Sequence, residues 1–218
     1  MRALLALVSV VVCSACGYTS PGGGTGTLFV TARLSSDGST QGNRARVTVR
    51  SASSTGDVVP NAEVALQGGA LKRTVLSWDP DSKQYRLDGF TWVDGFRLEV
   101  IRGNDLLDGS IDAPGATLIT NPISDSTFRR ADAQPLSITW KDTRNAPAKT
   151  TQVRLDKANV DRAIPEGLYE LRLDANELTA STKETVRVER SNEVNLAGGA
   201  VGSLLSASTN HEIEFRVE

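Results

Sequence analysis

Residues 27–50 read TLFVTARLSSDGSTQGNRARVTVR, and this stretch decides the fold. It consists of two runs in which apolar and polar residues alternate, separated by the turn residues Asp37-Gly38. The apolar positions are Leu28, Val30, Ala32 and Leu34 in the first run and Ala45, Val47 and Val49 in the second. Because successive side chains of a β-strand point to opposite faces, this alternation predicts two strands that each bury one face.

The same pattern continues in short segments as far as residue 111. Turn residues separate these segments, among them Gly68-Gly69 and Asp79-Pro80-Asp81. The segments are residues 58–66, 73–78, 84–87, 96–101 and 106–111. Roughly seven short strands with turn signals every 8–12 residues or so are typical of a β-sandwich. No window shows convincing helical periodicity.

This part of the chain resembles the carboxypeptidase-regulatory or transthyretin-like sandwich of secreted bacterial proteins. The residues that carry the resemblance are Val59-Pro60-Asn61-Ala62-Glu63-Val64-Ala65-Leu66, Tyr85-Arg86-Leu87 and Gly95-Phe96-Arg97-Leu98-Glu99-Val100. The resemblance implies that the proline-to-alanine turn starts a strand and that the tyrosine helps to fill the core. It covers the first expected domain, residues 27–114, and implies little about function because this fold hosts many roles.

A second set of alternating segments follows Ala113-Pro114-Gly115, the expected domain boundary. These segments are residues 118–122, 136–140, 151–155, 169–173, 185–188, 194–196 and 213–217. Pro135 to Trp140 and Gly167-Leu168-Tyr169 resemble packing strands of fibronectin type III domains. The sequence therefore predicts an all-β chain of two tandem antiparallel β-sandwiches, transthyretin-like over 27–114 and Ig- or fibronectin-like over 115–218.

The first sixteen residues have the features of an export signal. Arg2 is followed by an apolar run over residues 3–12, and the small residues Ser14 and Ala15 precede Cys16. A positive start, a short apolar core and small residues before the cut define such a leader. The run is too short to span a membrane, which takes about 20 apolar residues.

The end of this leader resembles the bacterial lipobox, in which an aliphatic and two small residues precede a modified cysteine. Cys13 stands where the family usually has leucine, and Cys16 falls on the modified position. The resemblance implies a signal peptide over 1–15 and acyl chains, such as palmitate, on Cys16 that anchor an exported protein to the membrane. Gly17, in place of the Asp of an inner-membrane retention signal, favours the outer membrane of the cell envelope. An ordinary signal peptide that contains two cysteines by chance is the alternative.

Residues 16–26 are glycine-rich, so we expect a flexible tether after the lipidated cysteine. Both cysteines of the chain lie in the leader region, so the expected sandwiches have no disulfide. Their stability must come from their cores. A formal net charge of −2 gives no electrostatic case for nucleic acid.

Few residues point to chemistry. His211 is the only histidine and is expected at a turn or a strand edge, so we predict no catalytic residue, no metal site and no cofactor. Asp79-Pro80-Asp81 and residues 105–112 leave open whether end loops bind calcium. Trp92, flanked by glycines at residues 89 and 95, is the best candidate for an exposed platform that binds a sugar.

The sequence thus favours a lipid-anchored, non-enzymatic binding or structural module of the cell envelope. Its partners would be the membrane, through the acyl chains on Cys16, and an envelope protein or a glycan. The alternative is a surface lipoprotein that binds carbohydrate or peptidoglycan through Trp92. An envelope hydrolase is a distant third hypothesis, because acidic residues are plentiful but nothing in the sequence fixes their separation.

Overall fold

The structure is a computed structural model that describes residues 24–132, 134–144 and 146–218. The expected leader, Cys16 and most of the expected tether therefore lie outside the described residues. The described chain is built of strands, with short 3₁₀ turns at Arg130–Asp132 and Ala175–Glu177. The predicted all-β sandwich class is confirmed.

The strands are short except for the last two. They are β1 (Leu28–Ser36), β2 (Arg44–Ser51), β3 (Glu63–Gly68), β4 (Leu71–Val75), β5 (Ser77–Asp79), β6 (Gln84–Asp88), β7 (Gly95–Arg102), β8 (Asp105–Asp112), β9 (Thr117–Asn121), β10 (Thr127–Phe128), β11 (Leu136–Asp142), β12 (Thr150–Leu155), β13 (Val160–Ile164), β14 (Glu170–Leu173), β15 (Ser181–Asn195) and β16 (Leu204–Val217).

The strands form three sheets. The largest has nine strands in the order β13-β12-β15-β16-β1-β2-β6-β5, with β10 added beside the end of β16. The others have the orders β4-β3-β7-β8 and β14-β11-β9. Strand β16 pairs in parallel with β1 and β10, and the other named pairs are antiparallel. The nine-stranded sheet is called the shared sheet below.

Two hydrophobic cores lie on one face of the shared sheet. The first core lies between this sheet and the four-stranded sheet, and its large side chains include Phe96 and Tyr85. The second lies between the shared sheet and the three-stranded sheet, and it includes Phe215 and Trp140. One sheet is therefore a layer of both sandwiches. Burial of apolar surface in these cores is the main force that holds the layers together.

The hairpin β15–β16 joins the two sandwiches. Its strands have 15 and 14 residues, about 45 Å at roughly 3.3 Å per residue. Val188 and Phe215 of its inner face lie in the second core, whereas Leu205 and Ala207 lie in the first. The sequence segments 185–188, 194–196 and 213–217 are thus parts of two long strands, not three separate ones.

Candidate functional site

The face of the shared sheet that points away from both cores is mostly polar. On β15 and β16 its side chains are polar except for Leu204. A depression of about 650 Å³ lies on this face where five strands of the sheet run side by side, namely β6, β2, β1, β16 and β15. We call it the outer depression.

Three arginines form a row across the outer depression. Arg33 on β1 is directly opposite Arg46 on β2, and Arg46 is directly opposite Arg86 on β6. Cross-strand neighbours of this kind have their Cβ atoms about 5 Å apart, and like charges placed opposite each other destabilise a sheet. The row therefore concentrates positive charge at a cost to stability.

Two carboxylates offset part of this charge. Arg46 Nη2 lies 2.6 Å from Asp88 Oδ1, and Arg86 Nη1 lies 2.5 Å from Asp79 Oδ2. Hydrogen bonding from the Ser82 hydroxyl, together with Arg86, lowers the pKa of the Asp79 carboxyl from its usual value. Within the part of the chain that the structure describes, the Arg33 guanidinium has no ion pair or hydrogen-bond partner. It is the free cation of the row.

The rest of the outer depression is polar and of mixed charge. Hydroxyl and amide groups of Ser206, Ser208 and Asn210 on β16 lie beside the arginine row. Glu189 and Glu193 on β15 form the far wall. The outer depression therefore has guanidinium groups on one side, neutral hydrogen-bond donors and acceptors in the middle, and carboxylates on the other side.

The crossing between the two sandwiches is largely buried, and three of its carbonyls accept hydrogen bonds from side chains. Residues 112–115 connect β8 to the second sandwich, and residues 113–115 are buried. Asn192 Nδ2 donates to the Asp112 carbonyl at 2.8 Å. Trp92 Nε1 donates to the Pro114 carbonyl at 2.9 Å, and Thr209 Oγ1 donates to the Gly115 carbonyl at 3.0 Å. Both sandwiches and the hairpin therefore hold the crossing.

A buried ion pair lies next to this crossing. Arg190 on β15 and Asp142 at the end of β11 are 3% and 2% exposed, and Nη1 lies 2.6 Å from Oδ2. Arg190 Nη2 also donates to the Ala146 carbonyl at 3.2 Å. A Cβ at Gly115 would lie 1.9 Å from Asp142 Oδ1, so only glycine leaves room for the carboxylate. The pair and its hydrogen bonds thus connect β11 of the three-stranded sheet to the middle of the hairpin.

His211 lies within β16 and not before the last strand, which corrects the sequence-based expectation. Its Nδ1 accepts a hydrogen bond from the backbone N–H of Ile119 at 3.3 Å. Burial lowers the pKa of the imidazole, because the charged form loses its hydration. The residue links β9 to the hairpin in its neutral form.

The structure also corrects the expectation for Trp92. Its ring is 6% exposed, and it packs against Phe90 and Phe96 with centroid distances of 6.3 and 5.2 Å. Residues 89–94 do form a loop between β6 and β7, with Gly89 and Asp94 exposed, but the Trp92 indole fills the end of the first core and holds the crossing. Binding of a sugar by Trp92 would require the ring to leave this core. The lipidation site Cys16 lies outside the described residues.

Two of the acidic residues considered for calcium, Asp79 and Asp105, already bind protein groups. Asp105 accepts hydrogen bonds from the Thr25 hydroxyl at 2.6 Å and from the Thr25 N–H at 3.0 Å. These bonds, led by the Thr25 hydroxyl, lower the pKa of the Asp105 carboxyl. Among the residues that the structure describes, no group of three or more His, Cys, Asp or Glu side chains could hold a metal ion.

The arginine row was not found from the sequence. Arg33 and Arg46 stand at outward positions of the opening stretch, and this part of the signal is visible in the alternation. The register that sets Arg86 beside Arg46 pairs β2 with β6, which are neighbours in the sheet but have three other strands between them in sequence. Nothing local in the sequence specifies that pairing.

The sequence matches no protein-family profile, and no curated protein sequence matches it. Among solved structures, the chain is similar to a two-domain fibronectin type III segment of chicken tenascin. The identity is 9% and the TM-score 0.28, over 83% of this chain and 96% of that one. It is also similar to fibronectin(III)-like modules of Clostridium thermocellum CbhA, at 13% identity and a TM-score of 0.27, over 86% and 95% of the two chains.

A third similar structure is the titin Ig tandem A164-A165, at 8% identity and a TM-score of 0.26, over 88% of this chain and 97% of that one. The fold assignment rests on the strands and cores described above. Over the described part of the chain, no helix is long and apolar enough to cross a membrane.

Proposed function

We propose that the chain is a lipid-anchored, non-enzymatic interaction module of the bacterial cell envelope, and that the outer face of the shared sheet is its interaction surface. The observation that carries this proposal is the shared sheet itself. One sheet runs through both sandwiches, and its outward side chains on the long hairpin are polar except for Leu204. Such a scaffold holds a binding surface rigidly, as recognition requires.

The path of the chain at residue 24 supports anchoring at one end of this scaffold. Gly26 N–H donates to the Gly198 carbonyl at 3.3 Å, and Gly24 lies against the same residue, at the turn of the β15–β16 hairpin. Gly24 is eight residues after Cys16, a reach of at most about 28 Å. Acyl chains on Cys16 would therefore keep the hairpin turn near the membrane, with the second sandwich pointing away from it.

The proposal includes export by the leader over 1–15 and an outer-membrane location. It also includes the transthyretin-like assignment of the first sandwich. That assignment is supported by Tyr85, whose hydroxyl accepts from the Ala62 N–H at 2.8 Å and donates to the Val59 carbonyl at 2.7 Å. The tyrosine thus closes the turn on which the resemblance was based.

The arrangement of acids gives less support to a hydrolase. Glu189 and Glu193 face the outer depression from the same strand, four residues apart. Their Cα atoms are about 13 Å apart at roughly 3.3 Å per residue. The carboxyl pairs of glycosidases are about 5–9.5 Å apart, so both side chains would have to lean toward each other along the strand to form such a pair. Carbohydrate binding, the second candidate, is favoured by the outer depression and not by Trp92.

The test uses the full chain expressed in a Gram-negative host, with Cys16→Ala and Cys13→Ala as a matched pair. Mass spectrometry of the mature protein detects acylation of Cys16 and cleavage of the leader. Membrane fractionation shows whether the protein is found with the inner or the outer membrane. We expect wild type and Cys13→Ala to be acylated and found with the outer membrane, and Cys16→Ala to lose both properties. An unmodified Cys16 in wild type would overturn the anchoring.

The interaction surface is tested in the same cells with a photo-crosslinking amino acid. One variant carries it at Ser208 in the outer depression, and the control carries it at Arg172 on the three-stranded sheet. We expect crosslinks from position 208 to exceed those from position 172. Equal yields at the two positions would reject the outer face as the interaction surface.

A further inference from the structure

We propose that the outer depression binds an acidic polysaccharide whose carboxylates lie on the row formed by Arg33, Arg46 and Arg86. This inference extends the proposed function by naming the ligand class of the same surface. It rests on the placement of the arginines, on the polar groups beside them and on the dimensions of the sheet.

The placement of the arginines points to an anionic ligand. Three cations stand directly opposite one another on adjacent strands, an arrangement that costs folding stability. Asp88 and Asp79 each meet one arginine of the row, and Arg33 at the centre of the sheet meets neither. A ligand carboxylate could pair with the Arg33 guanidinium through two parallel hydrogen bonds, which would give each arginine of the row a carboxylate partner.

The spacing of the row points to a chain with one charge per unit. Adjacent strands lie about 4.8 Å apart, so the three arginines are spaced at that interval across the sheet. One sugar ring in an extended polysaccharide has a similar length. A polyuronate running across the strands could therefore present successive carboxylates to successive arginines.

The neighbouring groups fit sugar hydroxyls. The row continues across the sheet from Arg33 to Ser206 and then to Glu193, which are directly opposite each other in register. The Ser206 hydroxyl can donate to and accept from hydroxyls of the ring, and the Glu193 carboxylate can accept from them. The volume of about 650 Å³ is within the usual range of about 300–1,000 Å³ for ligand sites.

Other polyanions fit this surface less well. Single-stranded nucleic acids bind proteins through aromatic side chains that stack on bases, and the residues lining the outer depression include no aromatic one. Glu189 and Glu193 would repel any polyanion whose charges continue past Arg33, such as a phosphate backbone or an anionic membrane surface. A short polyuronate segment on the arginine row, followed by uncharged hydroxyls at Ser206 and Glu193, avoids this repulsion.

The probe is an oligogalacturonate, titrated calorimetrically into the purified full-length protein in detergent at low salt. The same oligosaccharide with its carboxylates methyl-esterified is the matched neutral ligand. We expect binding of the acidic form, at least about tenfold weaker binding of the ester, and loss of affinity as the salt concentration rises from about 50 to 200 mM.

Substitutions then locate the site. Arg33→Gln removes the unpaired cation and is expected to weaken binding by roughly 3- to 10-fold. The control Arg172→Gln removes one exposed charge from the three-stranded sheet and is expected to leave affinity unchanged. Unfolding of Arg33→Gln by urea is expected to require slightly more denaturant than wild type, because repulsion within the row falls.

The proposal is overturned if the ester binds as tightly as the acid, or if Arg33→Gln and Arg172→Gln have equal effects. It is also overturned if phosphatidylglycerol vesicles, an oligo-dT strand or a polyglutamate peptide bind more tightly than oligogalacturonate does. For each ligand the wild type is compared with Arg33→Gln, so that any contribution of acyl chains cancels. Acylation is read separately at Cys16, and the two proposals can therefore fail independently.

Discussion

The middle of the β15–β16 hairpin differs from its two ends on the face that points inward. At the ends this face contributes apolar side chains to the two cores, such as Val188 and Leu205. In the middle it contributes Arg190, Asn192 and Thr209, all buried and all hydrogen-bonded. The ends of the hairpin thus join each sandwich through apolar contacts, whereas its middle joins the two halves through directional polar bonds.

The largest expected effect comes from breaking the buried ion pair. Asp142→Ala leaves the Arg190 guanidinium buried without its carboxylate, so we expect the free energy of unfolding to fall by about 3–5 kcal/mol. Urea denaturation followed by tryptophan fluorescence measures this change. In contrast, Arg190→Met combined with Asp142→Leu is expected to recover most of the loss, because no charge remains buried.

The matched control for this prediction is Arg187→Ala, which removes the exposed partner of Glu212 on the same hairpin. Exposed pairs contribute at most about 1 kcal/mol. Similar losses for Asp142→Ala and Arg187→Ala would mean that the middle of the hairpin is no more important than its surface.

A medium effect is expected from Asn192→Ala. The side chain donates to the Asp112 and Pro147 carbonyls and accepts from the Lys149 N–H at 2.7 Å. Its loss leaves these backbone groups without their partner, which costs about 1–3 kcal/mol. Hydrogen exchange should show faster exchange of the Lys149 amide. Asn195→Ala, at an exposed position of β15, is the control, and equal effects of the two would contradict the prediction.

The smallest effect is expected at His211 and depends on pH. Burial lowers its folded pKa, so as pH falls below the ordinary value of about 6.5 the unfolded chain takes up the proton first. The contribution of neutral His211 to the free energy of unfolding is therefore fully present above about pH 6.5 and decreases as the pH falls below it. In His211→Gln, the dependence of unfolding free energy on pH between about 7 and 5 should be flatter than in wild type. Identical pH profiles would show that the imidazole does not contribute.

Much of the fold could be predicted from alternation. Strands β1, β2, β7 and β11 show regular inward apolar positions, and their predicted segments agree with the structure within one or two residues. Local periodicity is sufficient where one face of a strand meets an apolar core along its whole length.

Alternation failed where the inward face becomes polar. Residues 190–192 and 209–211 interrupt the apolar pattern of the last hairpin, so one pair of long strands looked like several short ones. Strand β13 was missed because only its two end residues, Val160 and Ile164, are buried. The division into domains at residue 114 stays a prediction, and the structure shows a sheet that enters both halves.

The candidate site was harder to predict than the fold. The glycines that flank Trp92 indicate a loop, but they do not show whether the indole is exposed. Burial of the indole depends on packing partners that are remote in sequence. The arginine row depends on the register between β2 and β6, with three other strands between them in sequence. Surface sites of this kind are created by strand order, and a single sequence does not specify strand order.

The parallel pairing of β1 with β16 also has a consequence for the order in which the protein folds. Val30 N–H donates to Ser203 Oγ, 173 positions away, and β16 then lies beside β1 in the middle of the sheet. The first sandwich therefore cannot close until the ribosome has made the strand that follows the whole second sandwich. Contacts between such distant residues slow folding. The first sandwich is therefore still open when synthesis of the chain ends, which is compatible with the export proposed above.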